Sequence, residues 1–253
     1  MKPALRIATI VLAGALASSM SAFVWYGFSE PPVNRLPLAE GLVDATTTEG
    51  QRLLASSTAK TDYEQLAPWF VSQERRAFCG VASSAIVINA ITHEQPPLTQ
   101  STFFTNETSA LRSSLAVTFG GLTLEQLAAL LRTHGMEVEV VHARQSSLDA
   151  FRKRAAVALA EPLQFLIVNY DRPALKQMGG GHLSPLAAYD AESDRVLVLD
   201  VAAQKYPYTW EPAQDLWNAM NTTDSSSHET RGFLVIRDGK PSGKTTPATS
   251  NRR

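Results

Sequence analysis

Cys79 is the only cysteine in a chain of 253 residues, and it opens CGVASSAIVINAI (79–91), a run of small and apolar residues with no breaker after Gly80. The length of that run favours a buried helix over a strand. A thiol in the first turn of a helix meets unpaired N–H groups and roughly half a positive charge, which favour thiolate, the nucleophilic form. Taken alone, a solitary cysteine reads equally well as a small packing residue.

The C-terminal half supplies partners for it. His182 follows Gly179, Gly180 and Gly181 and begins the apolar run 182–189, Asp200 closes RVLVLD (195–200), and DAESD (190–194) between them has the length of a hairpin turn. Paired strands lie about 5 Å apart, so the start of one and the end of the next are neighbours. Asp200 is thereby placed to accept from one imidazole nitrogen while the other faces a thiol. Gln73, six residues ahead of Cys79, offers a side-chain amide that can join the Cys79 backbone N–H at a developing oxyanion. Gln, helix-start Cys, His and Asp, in that order, are the parts of a nucleophilic acyl transfer. The other histidines, at 93, 134, 142 and 228, have no comparable carboxylate context and read as surface or packing residues.

Holding these groups requires a scaffold, and its elements are legible. Thr61 and Glu64 resemble a capping box for a helix reaching about Trp69. Leu124, Leu127, Leu130 and Leu131 give Thr123–His134 one apolar face, with Gly135 as its stop. Met136–His142 reads as a strand, and Ser146 as the cap of a helix to about Ala160, closed by Pro162. The runs 164–170, 182–189, 195–200 and 232–237 read as further strands. Helices gathered early and strands late predict an α+β fold with a largely antiparallel sheet.

Composition narrows the function. With 23 Lys+Arg against 24 Asp+Glu there is no basic surface to neutralise phosphates, so no nucleic-acid partner is expected. One cysteine and no paired Cys/His spacing give neither an intramolecular disulfide nor a structural metal site. Lys2 and Arg6 precede an uncharged stretch from Ile7 to Ser29, which predicts a signal peptide or N-terminal membrane anchor over 1–28. That segment would contact the membrane or the export machinery, and the protein is expected to be exported: periplasmic, either soluble or anchored to the inner membrane. Pro31, Pro32 and Pro37 mark 29–38 as a linker. A catalytic domain spans 39–237, and 238–253 reads as a disordered polar tail.

The segments QERRAFCGVASSAIVINA (73–90), GGHLSPLAAYDAESDRVLVLDVAAQKYPYTW (180–210), DLWNAMNT (215–222) and TRGFLVI (230–236) closely resemble the catalytic domain of phytochelatin synthases in their short bacterial form, and the likeness covers about Gln51 to Arg237. It implies a papain-like fold and cleavage of the Cys–Gly bond of glutathione, with γ-glutamylcysteine held as a thioester. By that resemblance Cys79 is the nucleophile, His182 the general base and acid, Asp200 its orienter and Gln73 the oxyanion donor. Asn169, Tyr206, Arg231 and Gly181 match substrate-binding positions, and the fork of an arginine suits a carboxylate. Glutathione and its metal complexes are the implied partners, and a homodimer is compatible with the family. No cofactor is implied, since Cd or Zn would enter as thiolate complexes of the substrate. Ala203 stands where plant members carry a basic residue linked to the second substrate, and their Cys-rich extension has no counterpart in the polar tail. Both features favour hydrolysis over transfer to a second glutathione. Two other readings fit parts of the pattern: a papain-like peptidase of the bacteriocin-leader-processing type, and a metal-binding protein using Cys79, His182 and Asp200 as ligands.

Overall fold

The computed structural model describes residues 18–239. Residues 1–17 and 240–253, which carry much of the expected export segment and nearly all of the expected tail, lie outside the described residues. Helical residues 18–28 form α1, and among the described residues no helix is long and apolar enough to cross a membrane. The chain continues through β1 (Val43–Asp44), α2 (Thr48–Ser56), α3 (Thr61–Leu66), α4 (Cys79–Thr92), α5 (Asn106–Leu111), α6 (Ser114–Gly120) and α7 (Leu124–Thr133). Then come β2 (Met136–His142), α8 (Leu148–Ala158), β3 (Gln164–Asp171), β4 (Gly181–Asp190), β5 (Arg195–Val198), β6 (Thr209–Pro212), α9 (Ala213–Met220) and β7 (Gly232–Asp238).

Local chemistry accounts for most of these boundaries. On α4 every residue from Cys79 to Ile91 is buried, as a helix apolar on all sides requires. Thr123 and Gln126 form a reciprocal capping box at the start of α7, and Gly135, at φ +77°, takes the left-handed turn after it. Two expected caps differ. Ser147, rather than Ser146, accepts the Ala150 N–H and starts α8. Thr61 caps nothing, because its hydroxyl donates to the Ala160 carbonyl at 3.0 Å; Lys60 precedes α3 instead, and residues 67–69 tighten into a 3₁₀ turn.

The described strands form one seven-stranded sheet in the order β1-β6-β5-β4-β3-β7-β2. Every pairing in it is antiparallel, and Asp190 faces Arg195 across the predicted β4–β5 hairpin. Side chains alternate between its faces. Phe165, Ile167, Leu183, Leu197 and Leu234 join the core under α4 and α7, while Leu166, Val168, Val196, Val198 and Phe233 join the core under α8 and α9. Each such side chain contributes about 1.5–3 kcal/mol of apolar burial. The chain thus adopts the expected α+β layout: a helix that begins with Cys79 packs on an antiparallel sheet carrying His182, with Asp200 just beyond β5.

One buried group on α3 opposes this stability. Asp62 is 0% exposed, neither of its carboxyl oxygens finds a hydrogen-bond partner, and burial pushes its carboxyl up to about 9. The folded chain therefore keeps a proton that the unfolded chain releases, so this group's contribution to stability falls as pH rises from the ordinary carboxyl value through about 9. Asp62→Asn removes the effect while keeping the shape. Urea unfolding is expected to give the variant the higher midpoint near pH 8 and matched midpoints near pH 4.

Candidate active site

Cys79 sits at the first position of α4, and no side chain caps that helix at Phe78. Ser83 fixes the helix against the sheet by donating to the Leu183 carbonyl at 3.1 Å. Gly80 permits the close approach, since a Cβ there would come within 3.0 Å of the Leu122 and Leu183 side chains. His182, opposite Tyr170 across the β3–β4 ladder, packs its ring edge-on against the Tyr170 ring at 5.6 Å. Its Nε2 meets Asp200 Oδ1 at 3.0 Å, which leaves Nδ1 for the Cys79 thiol hydrogen-bonded to it. The hairpin delivers the predicted juxtaposition of His182 with Asp200, and α4 brings Cys79 to the same point.

Asp200 is itself held. Arg172 Nη2 donates to both carboxylate oxygens, at 2.8 and 2.7 Å, and the Ala202 N–H donates to Oδ1 at 2.8 Å. Arg172 is buried, with Nη1 on Gln177 Oε1 at 2.7 Å and its guanidinium 5.0 Å from the centre of the Tyr206 ring. Nothing in the local sequence marks this arginine, whose partner lies 28 residues away. Glu211 on β6 is buried nearby, and burial, reinforced by the charge of Asp200, pushes its carboxyl up to about 8. It stays protonated at neutral pH and adds no second negative charge beneath the site.

Opposing effects set the charge state of the reactive pair. Burial alone would push the Cys79 thiol up, but the hydrogen bond and charge of His182, with the backbone N–H groups of Leu183 and Gly80, bring it below the ordinary thiol value. Burial and the charge of Arg172 press His182 down, and the charge and hydrogen bond of Asp200 with the bond to Cys79 carry it above the ordinary imidazole value. Asp200 is driven up by burial but falls well below the usual carboxylate range because Arg172 and His182 surround it. Both shifts favour the thiolate–imidazolium form of the pair, the form in which the sulfur is nucleophilic.

Other sequence-predicted residues fall into two groups. Asn169, Gly181 and Arg231 line a cavity of about 340 Å³ together with Cys79 and His182. Arg231 Nη1 donates to Thr222 Oγ1 at 3.1 Å and to the Thr223 carbonyl at 2.9 Å. A Cβ at position 181 would come 2.8 Å from Arg231 Nη2, so the glycine lets the guanidinium lie against that strand without displacement. Tyr206 is elsewhere: it is buried beneath Arg172, and its hydroxyl accepts the Met178 N–H at 2.8 Å. Gln73 borders a second cavity of about 400 Å³ with His182 and Gly181. Its amide donates to the Arg75 and Arg76 carbonyls at 2.9 and 2.8 Å, while its Oε1 has no partner. To reach an oxyanion, the amide must exchange one of those carbonyls for the substrate. Gln100, which sequence reasoning missed, clamps this loop by donating to the Ser72 carbonyl at 2.8 Å and accepting the Glu74 N–H at 3.0 Å.

The metal-binding reading suits this centre poorly. Both oxygens of Asp200 face the Arg172 cation, and among the described residues no group of three or more His, Cys, Asp or Glu is arranged to hold a metal ion.

An imidazole oriented by a buried carboxylate beside a thiol at a helix start is the arrangement that activation of a cysteine nucleophile requires. Residues 33–233 match the phytochelatin synthase family model, and the chain belongs to that family. It is 34% identical over 200 residues to glutathione gamma-glutamylcysteinyltransferase 1 of Lotus japonicus, covering 77% of this chain and 40% of that protein. It is 32% identical over 208 residues to glutathione gamma-glutamylcysteinyltransferase 2 of Arabidopsis thaliana, covering 80% and 46%, and 26% identical over 178 residues to the Schizosaccharomyces pombe glutathione gamma-glutamylcysteinyltransferase, covering 69% and 43%. The chain spans less than half the length of these relatives. Among solved structures, xylellain, a cysteine protease from Xylella fastidiosa, is similar at a TM-score of 0.43 and 12% identity, covering 84% of this chain and 96% of that one.

The coupling of Cys79 to His182 makes the reactivity of the thiol testable without a substrate. Thiolate is lost as pH falls through the lowered Cys79 value, so the inflection in the rate of alkylation by iodoacetamide should lie below the ordinary thiol value of about 8.5. His182→Ala is expected to move that inflection upward by about one unit or more. An unchanged profile would remove His182 as the activating group. Arg172→Met leaves Asp200 buried without its cation, and a stability loss of about 3–5 kcal/mol is expected in urea unfolding.

Proposed function

We propose that this chain acts on glutathione as a γ-glutamylcysteinyltransferase-type enzyme whose main acyl acceptor is water. The observation that carries the reading is the Cys79–His182–Asp200 cluster opening on a cavity that also holds Arg231 and Asn169. Glutathione offers carboxylates for which a guanidinium fork is suited. The Cys79 thiolate attacks the carbonyl carbon of the Cys–Gly bond, and its charge moves to the carbonyl oxygen, where the N–H at the start of α4 and the Gln73 amide are the available donors. Collapse of that adduct breaks the C–N bond as His182 gives its proton to the departing glycine amine. What remains is a γ-glutamylcysteinyl thioester on Cys79.

Neutral His182 then takes a proton from the second nucleophile. Water gives free γ-glutamylcysteine, and a second glutathione gives the phytochelatin dimer. Ala203 supplies no cation at the position where plant members carry a basic residue, which supports water, although Arg76, Arg172 and Lys205 border the second cavity beside Ala202. Cadmium or zinc would arrive as thiolate complexes of the substrate. An exported location, with the uncharged stretch Ile7–Ser29 serving as signal or anchor, belongs to the same reading.

Cys79→Ala should end glycine release from glutathione while the urea unfolding curve stays two-state; turnover that survives the substitution would sink the reading. Asp200→Asn is expected to lower kcat by about 10²–10⁴-fold, through loss of the imidazole's orientation and partner charge. Mass spectrometry of products made with and without Cd should find γ-glutamylcysteine as the main species. Longer polymers as the main product would assign the second step to transfer.

A further inference from the structure

Residues 23–36 cross the mouth of the reactive centre. Phe23 stacks on Phe119 of α6 with ring centres 4.9 Å apart, and Phe28 meets the same ring edge-on at 6.0 Å. Arg76 lies 3.7 Å above the Tyr26 ring, and its Nη1 donates to the Tyr26 carbonyl at 2.5 Å, the Ser29 carbonyl at 3.2 Å and Ser29 Oγ at 3.1 Å. Further along, the Asn34 and Leu36 N–H groups donate to the Gln204 and Lys205 carbonyls at 2.9 and 3.0 Å. The segment is therefore fastened at α6 and again at the turn beyond Asp200, and it passes over the site between them.

Beneath it the two cavities meet at Gly181 and His182. Tyr26, Pro31, Pro32 and Asn34 wall the second cavity directly. Phe119 and Arg76, both held by the segment, wall the first, and Arg76 borders both. A cleft that processes polypeptides must let an extended chain run out past the scissile bond, at about 3.3–3.6 Å per residue. Here the second of the two cavities that meet at His182 is walled by Tyr26, Pro31, Pro32 and Asn34 of this segment. Pro31 and Pro32 have fixed φ and no N–H, so they offer an extended peptide no main-chain donor with which to pair.

We propose that residues 23–36 are a size filter, a wall that admits short thiol peptides to both sides of Cys79 and turns polypeptide chains away. The identity of the short peptide rests on the glutathione reading above; the wall itself does not. The same residues read as the end of an export segment and a linker, so the wall belongs to the chain that keeps them: removal of residues 1–28 as a signal peptide would take away the Phe23 and Phe28 contacts to Phe119 and the Tyr26 contact to Arg76.

Because Cys79 is the only cysteine in the chain, alkylation of the full-length protein reports on access to one atom. The full chain should react with iodoacetamide at least about 10-fold faster, relative to free cysteine, than with a poly(ethylene glycol) maleimide of several kilodaltons. Loosening the wall with Phe23→Ser and Tyr26→Ala together should reduce that size discrimination about 10-fold or more while iodoacetamide reactivity stays within about twofold. If that variant loses its iodoacetamide reactivity, the cleft itself has been disturbed, and Pro31→Gly with Pro32→Gly, which keeps both ring contacts, becomes the deciding variant. Wild-type chain that reacts with both reagents alike, or wall variants with unchanged discrimination, would overturn the proposal.

A second arm compares glutathione with glutathione extended by five residues at its C-terminus. Wild type should favour glutathione by about 30-fold or more in kcat/KM, and the wall variants should narrow the gap. Size discrimination in alkylation without glycine release from glutathione would leave the filter standing and refute the glutathione reading. Equal turnover of the two substrates by wild type would do the reverse.

Discussion

The centre depends on keeping one carboxylate charged where water cannot reach it. Asp200 is 2% exposed, and an isolated carboxylate in such a place would take up a proton. Arg172 prevents this from an equally buried position, and it leaves one Asp200 oxygen aligned with His182 Nε2. The choice of imidazole nitrogen for Cys79 follows from that alignment. Proton transfer from Cys79 to His182 turns two neutral groups into a pair of opposite charges, so the net charge of the buried cluster is the same before and after. The low-dielectric surroundings then strengthen the attraction within the pair without adding an uncompensated ion.

A short stretch after β5 links this electrostatic centre to the loop that carries Gln73. Asp200 orients the imidazole, and the next residue, Val201, accepts the Gln73 N–H at 2.8 Å and the Ser72 hydroxyl at 3.1 Å through its carbonyl. Gln100 secures the same loop from the other side. The groups that would activate the nucleophile and those that would receive the oxyanion are thus referenced to two adjacent residues. A shift of that turn would move both together.

Much of this was legible in the sequence, for reasons that can be named. Cys79 announced itself because a helix apolar on all sides must be buried and its first turn must face something. His182 and Asp200 were found because hairpin geometry ties the start of one strand to the end of the next. Arg172 escaped notice because its meaning comes from a partner distant in sequence, and an arginine after a strand otherwise reads as a solvated charge. Asp62 and Glu211 escaped for the same reason, since only tertiary burial distinguishes them from surface acids. The short helices α2, α5, α6 and α9 were missed because fewer than ten residues give too few turns for a period to stand out. Thr61 shows the converse: a capping pattern was present, but the Ala160 carbonyl offered its hydroxyl a tertiary partner.

The order of strands also bears on how the protein is made. β7 lies between β2 and β3, although it leaves the ribosome more than sixty residues after β3 ends. Until then β2 and β3 each present an open edge to the cell, and the wall of the cavity that holds Arg231 does not exist. Synthesis therefore passes through a long interval in which most of the chain is available but the two ladders at this end of the sheet are missing. Such an interval favours misassociation through exposed strand edges. The cavity beside Cys79 gains Arg231 and becomes complete only when this late strand is inserted.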